Sequence, residues 1–331
     1  MKWLNLTDAE RRDTIAVVAE ERGLTVNAVE KDWWVSVVLR AIFSTEYRPH
    51  LLFKGGTSLS KGWDLIKRLS EDIDLALNRE LLGYGGELST GKIDKLRNDS
   101  EDFVAKKLGA ALQAELEKSG ISPAKFTITQ DKEEKSDPHL MINYPSLYEP
   151  LPYLPPRVKI EVSTRSMMEP WSNRSIQSFI GAHYADQDFA DAAFDVPTVE
   201  PRRTFLEKAF LMHEEFLREE GKIKVTRMSR HLFDLEKLMD TEHGVAALSD
   251  MALYQEIVEH RSVFYKRGHV DYKTHDPATV DFIPPAHARE AFRGDYATMQ
   301  ENMIYGESLA FDALIERLQF LLTRFRGNAG K

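Results

Sequence analysis

Between residues 71 and 77 the chain alternates with a period of two. Ile73, Leu75 and Leu77 fall on one face; Asp72, Asp74 and Ala76 fall on the other. That period belongs to a half-buried β-strand. It places two carboxylates on one face, with side chains roughly 7 Å apart. The flanking sequence has a different texture. Upstream, Thr7 and Glu10 form a capping-box pattern that opens a helix to about Glu21. After Gly23, Val29, Trp33, Val37 and Ala41 recur four apart, as do Trp34, Val38 and Ile42, so a second helix has a broad apolar face. Both tryptophans are expected in its core. Leu51–Lys54 is a short apolar run broken by Gly55-Gly56, and 57–67 reads as helical. Downstream come a glycine-marked loop (83–91), a long helix (92–119), and strands at 125–130, 139–144 and 157–163. A proline-rich connection spans 145–156. Beyond Pro201 the pattern is helical, at 203–220, 229–241, 250–265, 286–303 and 307–326. The expected class is α+β, with a mixed domain over 1–200 and a helical domain over 201–331.

Composition narrows the chemistry. The chain has 331 residues, 42% hydrophobic and 29% charged, which is ordinary globular material and not a disordered chain. With 53 acidic against 44 basic residues there is no general basic field, so a nucleic-acid partner would need a local patch. There is no cysteine. That excludes disulfides, thiolate zinc sites, iron–sulfur clusters and cysteine nucleophiles. The first residues turn charged too early for a secretion signal, and no apolar run approaches the ~20 residues of a membrane span. A soluble, cytoplasmic protein without membrane contact is expected.

Three elements can carry chemistry. The first is the strand-to-helix turn Phe53-Lys54-Gly55-Gly56-Thr57-Ser58-Leu59-Ser60-Lys61. Glycines let backbone approach a ligand, and a helix start offers free N–H groups, both suited to a triphosphate. The P-loop spacing is absent, and alone such a turn is as compatible with a structural role. The second is Asp72 with Asp74, whose mutual repulsion a divalent cation would relieve. A solvated edge pair is the plain alternative. The third is Glu161 on the strand 157–163, sharing its face with Lys159. It could complete a two-metal site or form a solvated pair with that lysine.

Taken together, a Gly-Gly turn, an Asp-x-Asp strand and a later strand carboxylate have the layout of polymerase β-like nucleotidyltransferases. Residues 53–77, FKGGTSLSKGWDLIKRLSEDIDLAL, resemble the AbiEii/AbiGii toxins of abortive-infection and type IV toxin–antitoxin systems, a group that includes MenT-like proteins. Leu206-Glu207-Lys208, Arg230-His231-Leu232-Phe233-Asp234-Leu235, 260–272, Ile283-Pro284-Pro285 and Asp295-Tyr296 extend the likeness; residues 1–45 are the least diagnostic. The resemblance implies a polymerase β-like mixed sheet with a C-terminal helical domain closing the nucleotide site. It implies that Ser70, Asp72, Asp74, Lys208 and Asp234 are catalytic. It implies that Gly55, Gly56, Thr57, Ser58, Lys61, Ser70, Lys208 and Arg230 bind nucleotide, and that Asp72, Asp74 and Glu161 hold Mg²⁺ or Mn²⁺. Read without it, Lys208 is a surface lysine, and Arg230 with Asp234 a helical ion pair.

The activity so implied is transfer of NMP from an NTP to an acceptor hydroxyl, the tRNA 3′ end, blocking translation. A co-encoded antitoxin that need not touch the toxin is the other expected partner. A protein acceptor, or a nucleotide-binding toxin that sequesters a partner without turnover, are the alternatives. A basic cluster of Lys222, Lys224, Arg227, Arg230, Arg261, Lys266 and Arg267, interleaved with Tyr265 and Tyr272, is the candidate RNA surface. His213, His231, His260 and His269 have no metal-ligand spacing and read as structural or surface residues.

Overall fold

The computed structural model describes residues 2–131 and 137–327. The chain divides into two compact units. One comprises the residues up to Trp63 together with Leu69–Val199; the other comprises Asp64–Arg68 and the residues from Glu200 onward.

The first unit contains, in chain order, α1 (Asp8–Arg22), α2 (Val26–Ile42), β1 (Leu51–Lys54), α3 (Gly55–Thr57), β2 (Ile73–Leu77), α4 (Thr90–Phe103), α5 (Gly109–Lys118), β3 (Thr127–Asp131), β4 (His139–Asn143), β5 (Arg157–Ser163), β6 (Trp171–Ile176), α6 (Phe179–His183) and β7 (Phe194–Val199). The strands form one mixed sheet in the order β3-β4-β5-β2-β1-β7-β6. The central pairings are β1 with β2 antiparallel, β2 with β5 parallel and β1 with β7 parallel.

Local chemistry accounts for the helices. Thr7 caps α1 in a reciprocal capping box, its Oγ1 accepting the Glu10 N–H at 3.2 Å while Glu10 accepts the Thr7 N–H at 2.8 Å. Thr25 caps α2 by a single bond, its Oγ1 accepting the Ala28 N–H at 3.2 Å. Trp33 and Trp34 are core residues as expected, and Trp34 stacks on Tyr144 with ring centroids 4.7 Å apart. The alternation of β2 sorts its side chains as the sequence predicts. Ile73, Leu75 and Leu77 join the large core with α2, while Ala76 packs with Leu52 and Val199 on the opposite face. That opposite face also carries Asp74, one step back along the strand.

Several departures from the sequence reading concern this unit, α6 and a π turn at Val104–Leu108 that splits the helix expected over 92–119 among them. β6 and β7 were not expected. β6 reads Trp-Ser-Asn-Arg-Ser-Ile and buries only its last residue, as an edge strand can. β7 contains Pro197, which argues against a strand, yet Pro197 pairs opposite Asn173 of β6 while Thr198 pairs with Phe53 of β1. The helix expected over 57–67 also stops early. α3 passes into one π turn, Ser58–Gly62, and Asp64 then adopts φ 51°.

The second unit packs α7 (Pro201–Phe216), α8 (Ser229–Leu238), α9 (Glu242–Ser249), α10 (Met251–Phe264), α11 (Arg289–Asn302) and α12 (Phe311–Arg326). Phe205, Phe210, Phe233, Phe282, Phe292 and Phe325 are fully buried in it. α9 is additional to the helices expected. Asp64–Arg68 belongs to this unit because it is stitched to 304–306. The Lys67 carbonyl accepts the Tyr305 and Gly306 N–H groups at 3.1 and 3.2 Å, and Arg68 forms an antiparallel bridge with Ile304. Asp295 of α11 secures the start of α8, accepting the Arg227 N–H at 2.5 Å, the Ser229 N–H at 2.9 Å and the Ser229 hydroxyl at 2.5 Å.

Candidate active site

β1 runs directly into the Gly55-Gly56 turn, and the turn meets Asp74. Gly55 has φ 79°, in the left-handed region, and a Cβ built on it would lie 2.1 Å from Asp74 Oδ2. Only glycine both adopts this backbone readily and leaves room for that carboxylate. Gly56 has no left-handed φ. Gly55→Ala is therefore expected to slow the reaction of this site more than Gly56→Ala does. Melting curves beside turnover check it: equal losses for the two variants would show that the Asp74 contact is irrelevant.

Asp74 is half-buried and forms no hydrogen bond or ion pair through its carboxylate among the described residues. It is the register partner of Lys54 on β1 and of Glu161 on β5. In a parallel pair such partners face the same side, so Asp74 and Glu161 are neighbours on the face opposite the α2 core. Asp72 lies one residue before β2 begins and, like Asp74, is half-buried. The Glu161 carboxylate pairs with Lys159 at 3.2 Å. Among the described residues no three His, Asp or Glu side chains converge in a metal-ligating group. Hard carboxylate oxygens on adjacent strand positions nevertheless suit Mg²⁺. That ion is commonly held by one or two carboxylates together with substrate phosphates and water, not by an all-protein cage. The donor set fits such an ion.

The hydroxyls of the turn face inward. Ser70 donates to Thr57 Oγ1 at 2.8 Å, and Thr57 in turn donates to the Asp72 carbonyl, a short relay that ties the glycine turn to the acid strand. Thr57 and Ser58 are buried, and the Ser58 hydroxyl donates to the Gly55 carbonyl at 2.9 Å. The Lys61 ammonium is paired with Asp32 and its side chain is buried. Of the expected phosphate cradle, Thr57, Ser58 and Lys61 thus brace the turn, while Gly55, Gly56 and Ser70 keep part of their surface open.

In the helical unit, Lys208 and Asp234 do come together, though not on the surface. Asp234 is wholly buried. Its Oδ1 accepts Arg68 Nε and its Oδ2 accepts Arg68 Nη2, each at 2.7 Å, and Lys208 Nζ lies 2.9 Å from Oδ2. The two cations hold the Asp234 carboxyl below the usual range against the opposing effect of burial. Burial pulls Lys208 below its ordinary value, with Asp234 opposing. His231 accepts from Lys208 at 3.3 Å, and burial beside Lys208 and Arg230 keeps its imidazole neutral. The helical Arg230–Asp234 pair suggested by spacing does not form. Arg230 is half-buried and has no ion-pair partner among the described residues. Arg68 and Lys208 therefore share the Asp234 carboxylate, while the Arg230 charge is left without one.

The model of the nucleotidyl transferase AbiEii toxin family, type IV toxin–antitoxin system, matches residues 37–317. The chain belongs to the AbiEii family. No curated protein sequence matches it. As an AbiEii protein it is a nucleotidyltransferase toxin of a type IV toxin–antitoxin system. No helix among the described residues is long and apolar enough to cross a membrane.

For this AbiEii chain, sequence reasoning missed Arg68, whose role shows only through Asp234, far along the chain. It also overstated the basic cluster. Arg261 donates from Nε and Nη2 to the buried Glu214 at 2.6 and 2.7 Å, Arg267 approaches the same carboxylate at 3.2 Å, and Lys222 pairs with Glu219. Burial raises the Glu214 carboxyl, but the hydrogen bonds to His275 and Arg261 and the charge of Arg267 hold it down at about 2. Tyr265 lies under Arg261, and Tyr272 stacks on His275 and accepts the Arg267 N–H. The side-chain charges of Lys224, Arg230 and Lys266 have no ion-pair partner among the described residues, although the Lys224 backbone N–H donates to Glu215 at 2.8 Å.

Proposed function

We propose that this toxin transfers NMP from an NTP to an acceptor hydroxyl at the 3′ end of tRNA, with Mg²⁺ or Mn²⁺, and so arrests translation. The observation that carries the reading is Asp74: an unpartnered carboxylate set against Gly55 and in register with Glu161. In the reaction the acceptor oxygen bonds to the α-phosphorus in line with the departing oxygen, the bond to the β-phosphate breaks, and pyrophosphate leaves. Asp74 would hold the cation, with Asp72 and Glu161 as the neighbouring carboxylates, and the ion would supply charge neutralisation at the phosphates when bound. The open backbone of Gly55 and Gly56 suits close approach of a triphosphate. Within the helical unit, Arg230 is a fork that suits an anion, while the Lys208 ammonium is held by Asp234. Ser70 orients the turn through Thr57. Positioning and electrostatics then supply the rate.

Unpaired Lys224, Arg230 and Lys266 favour a polyanionic acceptor. The test is one gel: purified protein, each α-labelled NTP and Mg²⁺, with total tRNA or total protein. Label in RNA is expected. Label in protein would replace the acceptor, and nucleotide binding without any label would mean sequestration without turnover.

A further inference from the structure

α2 carries three consecutive charged residues, Glu30, Lys31 and Asp32, none more than 5% exposed. Neighbouring residues on a helix point about 100° apart, so each reaches a different segment. Glu30 accepts the Ser146 hydroxyl at 2.5 Å and the Leu147 N–H at 2.7 Å, holding the loop after β4. Lys31 donates to Glu71 and, at 3.0 Å, to the Pro155 carbonyl. Asp32 accepts from Lys61 and, at 2.7 Å, from the Phe179 N–H at the start of α6.

Two of these partners sit inside the candidate site's own chain. Lys61 closes the turn that begins at Gly55, and Glu71 immediately precedes Asp72. We propose that Lys31 and Asp32 are positioning residues of the transfer site. They clamp the segment bearing the glycine turn at Lys61 and the segment bearing the acid pair at Glu71, an inference that rests on the transfer reading above. Between the clamps the Ser70–Thr57–Asp72 relay joins the same two segments a third time. Stability is a poor reason for such an arrangement, because a buried ion pair is often matched or bettered by apolar side chains of similar volume. Orientation is a good one. An ion pair fixed between a helix and a strand entry sets where Asp72 begins, and displacement of a reacting group by about 1 Å can cost on the order of a hundredfold in rate. Both ammonium groups are spent in these pairs and are not offered to a ligand.

The test compares Lys31→Met, Glu71→Gln and the double variant. Each single change strands a buried charge and lowers the melting temperature; the double removes both charges and recovers most of it. Three quantities are measured on the full chain: melting temperature, kcat and KM for NTP in the label-transfer reaction, and amide hydrogen exchange over 55–61 and 69–74 without nucleotide. The double variant is expected to melt near the wild type, to exchange those amides about tenfold faster, and to turn over about a hundredfold more slowly at saturating NTP. Wild-type exchange and kcat in a stable double variant would overturn the proposal. If the wild type itself transfers no label, the transfer reading fails, and unaltered exchange in the double variant would still overturn the clamp by itself. Should that variant not fold, Asp32→Asn with Lys61→Gln puts the same question to the other clamp, with the same outcomes.

Discussion

Asp74→Asn should lower nucleotide transfer on the order of a thousandfold while leaving the melting curve where it is. Asparagine has the shape of aspartate, so it fits the space that Gly55 leaves beside Oδ2. What it lacks is the charge. Because the Asp74 carboxylate has no protein partner among the described residues, removing its charge strands nothing, and stability has no reason to fall. The solvated-edge alternative makes the opposite forecast. A strand carboxylate that only faces water can be neutralised with no effect on turnover, and surface changes of that kind shift stability by about 0.5 kcal/mol at most. Label transfer at saturating NTP, measured beside thermal melting, separates the two. Wild-type turnover in the Asn variant would remove Asp74 from the reaction and take the metal assignment with it. Glu161→Gln is a milder companion, since that carboxylate already pairs with Lys159.

Legibility from sequence followed the range of the forces involved. The period of β2, the capping box at Thr7 and the apolar face of α2 are set by residues within a few positions of one another, and each stands where its pattern puts it. For Glu161 the sequence left two places open, beside the aspartates or paired with Lys159, and both describe it: it is in register with Asp74 and its carboxylate pairs with Lys159. β6 and β7 were hidden for local reasons. One is a polar edge strand and the other contains a proline. The buried charges were hidden for non-local ones. Glu30-Lys31-Asp32 reads as a solvated helix face until Ser146, Glu71 and Lys61 arrive from three other segments. Lys208 falls off the apolar stripe of α7 and so reads as a surface lysine, yet Asp234 and Arg68 make its burial tolerable. No periodicity reports a pairing made across tens of residues, and a buried charge is chosen by its partner, not by its neighbours in sequence.

Asp234→Asn should cost about 3–5 kcal/mol of stability, because it leaves Arg68 and Lys208 buried without their carboxylate. The wild type carries the signature of that pairing in its acid limb. The Asp234 pKa in the folded chain is lowered, so the stability it contributes is present above the unfolded value near 4. It is lost as pH falls through the lower folded value. The Asn variant should be weaker at neutral pH and should lack this part of the acid dependence, so the two denaturation profiles converge as pH drops below about 4. Catalysis discriminates between two uses of the residue. If Asp234 acts on the nucleotide directly, the variant loses kcat at saturating NTP in addition to its stability. A carboxylate with both oxygens engaged by Arg68 and Lys208 argues for the other use. It holds the two cations in place, and its loss lets them move, so KM for NTP should rise together with the fall in stability. Adding Lys208→Met to Asp234→Asn removes one stranded cation and should restore part of the stability but none of the affinity. An abolished kcat with KM for NTP unchanged in the single variant would instead make Asp234 a residue of the chemical step.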